Sequence, residues 1–413
     1  MRKDAEKIYT GAINACLPDM AVREALADIS LPFGRLILIS IGKAAWKMAR
    51  AAYDVIEGMG GSIATGAVLT KYGHSEGEIP RIEIYEAGHP IPDENGIRAT
   101  ERILEMTRGL NESDLVLFLI SGGGSALFES PRCSLDELCS LTGELLSSGA
   151  DITEINAVRK HLSRVKGGRF AEHISPARVY AIALSDVIGN RLDVIASGPA
   201  APDLSTAADV ASAIEKYGIS LSPEMRSYLG EETPKRLTNV TSRIGGSVSE
   251  LCIAARDIAE SLGYRAEILT DTENGIAREV GARLAALARE RRDTDRDLAY
   301  IIGGETVVKV NGSGLGGRNQ EIALSAAIGI EGIDNVAVFS VGSDGTDGPT
   351  DAAGGYVDGS TVRKMRERGI SPENMLDNND AYHALEAIDA LIKTGPTGTN
   401  VNDISVLLIR AKK

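Results

Sequence analysis

Leu36-Ile37-Leu38-Ile39-Ser40-Ile41-Gly42-Lys43 is the stretch whose reading decides the fold. A short, almost unbroken aliphatic run is too brief for a helix and reads as a strand covered on both faces, the mark of a parallel sheet. Gly42 then permits a tight turn, and the residues from Lys43 to about position 57 carry a helical pattern. The same kind of run recurs at 66–70, 82–86, 115–120, 179–184, 266–269, 299–302, 336–340 and 404–409, with helical patterns between most of them. Strands alternating with helices predict an α/β architecture with parallel sheets. Upstream, Ile8, Ala12, Ala15, Val22 and Leu26 are spaced as in a helix pair broken at Pro18. The region 219–250 gathers Ser222-Pro223, Thr233-Pro234 and Gly245-Gly246, so the domain junction is expected there, with a second domain starting near 238.

With 413 residues, two or three such units are expected. The net charge of −14 and the interrupted basic run Arg289-Glu290-Arg291-Arg292 exclude a duplex-binding surface. Aromatic residues make up only 4 %, and glycine is enriched, at 45 residues. Cys16, Cys133, Cys139 and Cys252 are scattered and lack the paired spacing of a zinc site, so they read as small hydrophobes in a reducing compartment. There is no signal-like start and no apolar run of membrane-spanning length, which predicts a cytoplasmic protein.

The glycines concentrate at strand ends. Gly42-Lys43 puts a lysine at a strand-to-helix turn, where free amides and the helix dipole favour anions and the ammonium suits phosphate. An ordinary surface lysine would read the same way. Ser121-Gly122-Gly123-Gly124-Ser125 follows the 115–120 run, and three glycines allow a nest of amides around phosphate oxygens. It matches neither the dinucleotide fingerprint nor the Walker loop. In 159–169, Arg159, Ser163 and Lys166 share a helix face just ahead of Gly167-Gly168, which makes either a cationic binding face or a solvated one.

Asp186 stands directly after the 179–184 run, where ligands of open α/β sheets bind; it suits a magnesium ligand, a proton acceptor for a substrate hydroxyl, or a helix cap. Gly303-Gly304-Glu305 and the glycine-rich 312–317 lead to Arg318-Asn319, and Arg318 is placed to clamp a carboxylate or phosphate. Asp344, Asp347 and Asp351 lie close in sequence, but position 355 is glycine, so an EF-hand is excluded and a Mg2+ or hydroxyl-binding loop fits better. Thr397 and Asn400 belong to a stretch, 393–403, rich in hydrogen-bonding groups for a small polar ligand.

Taken together, the stretches 42–45, 88–90, 121–127, 161–168, 184–198, 303–321, 346–354 and 394–403 resemble, in order, the motifs of the MOFRL-type glycerate 2-kinases, over nearly the whole chain. The resemblance implies a Rossmann-like α/β domain over 1–237 and a MOFRL-type α/β domain over 238–413, each with a largely parallel sheet flanked by helices, and an active site in the cleft between them. It implies transfer of the ATP γ-phosphoryl group to the 2-hydroxyl of D-glycerate with Mg2+. Lys43, Asp186 and Arg318 match the family's charged cleft positions and are the catalytic candidates. Ser121, Gly122, Gly123, Gly124, Ser125, Lys166, Gly167, Gly168, Gly303, Gly304, Glu305, Asn319, Thr397 and Asn400 are the candidates for binding substrate and nucleotide. Asp186, Asp347 and Asp351 are the candidate metal ligands. The partners expected are D-glycerate and ATP, without nucleic acid or membrane, in a monomer or homodimer. Two other readings compete: a hydroxypyruvate reductase, which would need a dinucleotide fingerprint, and a non-catalytic binder of sugar-acid phosphates.

Overall fold

The aliphatic run becomes strand β1 (Leu36–Ile41), with every residue buried. In the computed structural model, which describes residues 1–185 and 191–412, the chain divides into two units. The first unit is Pro18–Gly245. Its sheet adds β2 (Thr65–Lys71), β3 (Ile82–Ala87), β4 (Leu115–Ile120), β5 (Arg178–Leu184) and β6 (Val240–Gly245), in the order β3-β2-β1-β4-β5-β6. All five pairings are parallel.

Period-two alternation explains why these strands read as continuous apolar runs. Ile37, Ile39 and Ile41 join Val116, Phe118 and Ile120 in the core on one face. Leu36 and Leu38 join Leu115, Leu117 and Leu119 on the other. The second of these cores is closed by helices Pro18–Leu26 and Ala45–Gly58, through Val22, Leu26, Met48, Ala52 and Ile56. The first is closed by Glu94–Met106 and Arg169–Ile174, with Phe118, Phe128 and Phe170 stacked edge to face at its centre. Each phenylalanine buried there contributes about 1.5–3 kcal/mol.

The chain runs outward from β1 to β2 and β3, then returns to β4 on the opposite side of β1. The carboxyl ends of β1 and β4 therefore form the topological switch point, the position at which open α/β sheets bind their ligands.

The second unit is Met1–Leu17 with Gly246–Lys413. Its sheet contains β7 (Arg265–Glu273), β8 (Leu298–Gly304), β9 (Val336–Gly342), β10 (Gly354–Asp358), β11 (Leu391–Ile392) and β12 (Asp403–Ile409), ordered β11-β10-β9-β12-β8-β7. Here the expectation of a largely parallel sheet is corrected: only β7 and β8 are parallel. The last strand, β12, inserts between β8 and β9 and runs antiparallel to both. Burial on two faces gives an inserted antiparallel strand the same unbroken apolar pattern as a parallel one, so direction was not readable from composition.

The expected boundary at 237/238 is also corrected. Val-Thr-Ser-Arg-Ile-Gly is an edge strand with three exposed residues in a row, so it lacks the apolar signal, yet it completes the first sheet. Pro18 does break the N-terminal helix pair and sits first in the second helix. The two helices nevertheless belong to different units. Helix Arg2–Ala15 lays Ala5, Ile8, Ala12 and Ile13 against Leu251, Cys252, Ala255 and Ala259 of helix Val248–Ser261. Asp4 accepts from Tyr264 Oη at 2.9 Å and pairs with Arg410 at 2.8 Å, while the Cys16 carbonyl accepts from Thr399 Oγ1 at 2.8 Å. Among the described residues no helix is long and apolar enough to cross a membrane.

Candidate active site

In the first unit, the turns after β1 and β4 are laced together. Gly42 has φ +108°, and a Cβ there would collide with the Oγ and carbonyl oxygen of Ser121, so only glycine fits. The Lys43 amide donates to the Gly122 carbonyl at 2.9 Å, the Ala44 amide to Ser121 Oγ at 3.1 Å, and Ser121 Oγ to the Ile41 carbonyl at 3.1 Å. The amides expected to be free at Lys43 are thus used internally, and Ser121 is a fastening residue. What faces outward is the exposed Lys43 side chain. Gly123, at φ +86°, opens the loop before the short helix Gly124–Leu127. The amides of Gly122 and Gly123 make no hydrogen bond among the described residues, so the predicted nest consists of these two.

Neighbouring strand ends add a lysine and two histidines. Lys71 ends β2, and His74 Nδ1 lies 3.2 Å from the Lys43 carbonyl oxygen. His89 follows β3, and burial together with the charges of Lys43, Lys71 and His74 holds its imidazole below the usual range. Gly88-His89-Pro90 was legible only as a motif; its place after a strand end was the available signal for a functional histidine.

On the other side of the loop, Ser125 Oγ and Ser197 Oγ are 2.7 Å apart, and Arg159 donates to the Ser125 carbonyl at 3.1 Å. Ala196 and Ser197 have φ of +51° and +60°, a left-handed conformation costing about 1–2 kcal/mol per non-glycine residue. The 159–169 stretch divides differently from its helix-face reading. Arg159 reaches the loop, whereas Lys166 is fully buried and pairs with Glu129 at 2.5 Å, with its Nζ also donating to the Phe128 carbonyl at 3.0 Å. Burial lowers the Lys166 ammonium to about 8, with Glu129 opposing. Lys166, predicted as a binding residue, is buried and braces the loop through Glu129 and the Phe128 carbonyl. Gly167 and Gly168 likewise spend their amides on the Ser197 and Gly198 carbonyls, at 3.0 and 2.7 Å. Asp186 lies outside the described residues.

In the second unit the candidates converge on the start of helix Arg318–Gly329. Asp403, the first residue of β12, receives the Arg318 guanidinium in a two-pronged pair, Nε to Oδ2 and Nη2 to Oδ1, the latter at 3.1 Å. Glu305, just past Gly303-Gly304 of β8, takes Nη1 at 2.9 Å, and its other oxygen accepts from Asn402 at 3.1 Å. Burial pulls the guanidinium down, but Asp403 and Glu305 together hold it above its usual range. Burial raises Asp403. Of these groups, Glu305 is the most exposed. Asp403 was not singled out in the sequence because an aspartate opening an apolar run reads as a strand boundary.

Asp347 is buried and caps the same helix. Its Oδ1 accepts the Asn319 amide at 3.1 Å and its Oδ2 the Gln320 amide at 2.8 Å. A Cβ at Gly317 would collide with that carboxyl group, which explains the glycine before Arg318. Burial pushes Asp347 up to about 7. Asn319 packs inward, its Oδ1 accepting from Ser340 Oγ at 2.6 Å. Thr397 Oγ1 donates to the Ser343 carbonyl, holding the 343–347 and 397–403 loops together, and Asn400 is exposed beside it.

The metal reading does not fit the two aspartates described. Both Asp347 oxygens are taken by helix amides, and Asp351 is exposed and held by Lys393 at 2.9 Å and Tyr382 at 2.8 Å. Among the described residues no cluster of three His, Cys, Asp or Glu is disposed to hold a metal.

Residues 4–230 match a family model described as a domain of unknown function, DUF4147, and residues 298–403 match the MOFRL family. A D-glycerate 2-kinase from Thermotoga maritima is 54 % identical over 99 % of this chain and 98 % of its own. A glycerate 2-kinase from Pyrococcus horikoshii is 42 % identical over 92 % of this chain and 88 % of its own. A relative from Agrobacterium vitis with a provisional hydroxypyruvate reductase name is 40 % identical over 99 % and 94 %. The crystal structure of a glycerate kinase from T. maritima superposes with a TM-score of 0.93, covering 98 % of this chain and 99 % of that one, at 54 % identity.

Fold and relatives define a two-domain α/β kinase, an enzyme that transfers phosphate to an alcohol group. Within that class the chain belongs to the glycerate 2-kinase family, built from a DUF4147 and a MOFRL domain.

Proposed function

We propose that this kinase transfers the γ-phosphoryl group of ATP to the 2-hydroxyl of D-glycerate, releasing 2-phosphoglycerate and ADP, and that Lys43 supplies the charge at the transfer site. The observation that carries this reading is the exposed Lys43 side chain beside the amides of Gly122 and Gly123, which make no hydrogen bond among the described residues, at the switch point. Phosphoryl transfer needs positioning and charge neutralisation more than covalent participation, and these groups provide both.

Arg318 is the second anion clamp, for the glycerate carboxylate or a phosphate. Held at the back by Asp403, it becomes available when Glu305 yields its prong to the anion. Asp186 remains the candidate to orient or deprotonate the attacking hydroxyl. Magnesium would travel on the nucleotide phosphates, as it commonly does, keeping most of its waters. The scattered spacing of the four cysteines supports a reducing, cytoplasmic setting.

The reductase reading finds no support in the switch-point loop, which has a lysine and a serine-flanked glycine triplet where a dinucleotide site carries its fingerprint. Incubation with ATP and D-glycerate, with the product read by phosphorus NMR, tests the proposal. A 2-phosphate monoester and stoichiometric ADP are expected. NADH consumption with hydroxypyruvate and no ADP would overturn it.

A further inference from the structure

Among the described residues, His89 brings its imidazole against the Gly123 position of the glycine nest. Its ring edge lies close over Gly123: a Cβ at position 123 would stand 3.0 Å from His89 Cδ2 and 3.1 Å from Nε2. The same point lies 3.2 Å from Lys43 Cγ. Imidazole and lysine stem thus converge on one backbone position, which is kept free of a side chain.

The ring is half-buried, and neither nitrogen makes a hydrogen bond to any described residue. These nitrogens are not buried atoms left without a partner, so the ring edge remains open to water or to a ligand. Elsewhere His161 Nδ1 reaches the Ala157 carbonyl oxygen at 2.8 Å, with its Nε2 buried and unpartnered, and His173 Nε2 reaches that of Leu104 at 2.9 Å. A neutral imidazole offers one N–H donor. Burial and the surrounding cations keep His89 in that form. Lys43 lies beside it, Lys71 and His74 act on it through their charges, and the Gly122 and Gly123 amides make no hydrogen bond among the described residues.

We propose that His89 is a ligand-contacting residue of this site, its Nε2–H donating to an oxyanion held jointly by Lys43 and the Gly122 and Gly123 amides. The oxyanion is either the acceptor's carboxylate or a phosphate of the donor. The assignment rests on the phosphotransfer reading of the same site, and it goes further by adding a neutral donor to a set of charges. A neutral donor fixes the direction of an anion where point charges fix only its place. It also gives Gly123 a second reason to be glycine, since any side chain would displace the ring.

Two variants separate contact from packing. His89→Phe keeps a ring against Gly123 and removes the nitrogens; His89→Gln removes the ring and keeps an N–H. Steady-state kinetics of the full chain should show His89→Phe losing about tenfold or more in kcat/KM, the worth of one hydrogen bond to a charged group. His89→Gln should recover most of that loss, with melting temperatures unchanged. A rise confined to the KM of D-glycerate assigns the carboxylate, and one confined to the KM of ATP assigns the phosphate. Wild-type kinetics in His89→Phe, or failure of His89→Gln to recover activity while remaining folded, would overturn the assignment. Calorimetric titration with D-glycerate and with ADP keeps the test independent of turnover. If the wild type forms no ADP, the kinase reading falls, while tenfold weaker binding of either ligand by His89→Phe still supports the contact and equal binding refutes it.

Discussion

Replacing Lys43 by alanine removes one charge from the switch point and leaves the fold in place. The reason lies in the backbone. The Lys43 amide donates to Gly122 at 2.9 Å, and its carbonyl accepts from Thr70 Oγ1 at 3.3 Å, and neither bond involves the side chain that is cut. The ammonium is exposed, so deletion opens no cavity. Two unit charges about 4 Å apart interact by about 4 kcal/mol at an effective dielectric of 20. Water around an exposed lysine reduces this, so about 2–3 kcal/mol of transition-state stabilisation is at stake, or roughly 30- to 150-fold in kcat. Lys43→Met should behave like the alanine variant, because charge and not stem length is the lost quantity. Lys43→Arg should recover only part, since a planar fork does not reproduce a point charge. The assay is ADP release at saturating ATP and D-glycerate, run beside thermal unfolding. Turnover within threefold of wild type, with an unchanged melting temperature, would remove Lys43 from the mechanism.

Three further perturbations bear on the two sites. Gly123→Ala forces a non-glycine residue to φ +86° at about 1–2 kcal/mol and presses on His89 and Lys43, so kcat/KM should fall about tenfold with a modest loss of stability; unaffected kinetics would show that the ring is not held there for function. Arg318→Ala strands the buried Asp403 carboxylate and should cost about 3 kcal/mol of stability, near the low end for a broken pair because Arg318 is 33 % exposed; adding Asp403→Asn should restore stability but not turnover, and restored turnover would deny Arg318 a role with substrate. Asp347 has a folded-state pKa raised to about 7 by burial, so its protonated form is favoured in the native state. Its contribution is complete below the unfolded value near 4 and is lost as pH rises toward 7, with a slope of at most about 1.4 kcal/mol per pH unit. Denaturant unfolding of wild type and Asp347→Asn across pH 4–8 should differ in this sense, and parallel curves would refute it.

Much of the first unit could be read from composition. Its central strands are buried on both faces, so alternation disappears and the runs become unmistakable. The residues that failed to announce themselves did so for physical reasons. Val240–Gly245 is an edge strand with one solvent face, and its Thr-Ser-Arg core looks like a linker. Lys166 has the sequence appearance of a solvated cation, and only its burial against Glu129 gives it a structural role. Arg159, from the same stretch, reaches the Ser125 carbonyl instead. His89 and Asp403 sit at strand ends far in sequence from the groups they meet, so no local spacing marks them.

By itself, the sequence determined the alternation of strand and helix, the glycine turns after β1, β4 and β8, and the chemical character of a site for small anions. These are local properties: a residue's own φ preference, its hydrophobic period, its charge. Tertiary structure decided which unit owns helix Arg2–Ala15, the antiparallel insertion of β12, which amides stay bare and which lysine faces outward. Each of these depends on what another segment presents at the same point in space, and only the folded chain brings those segments together.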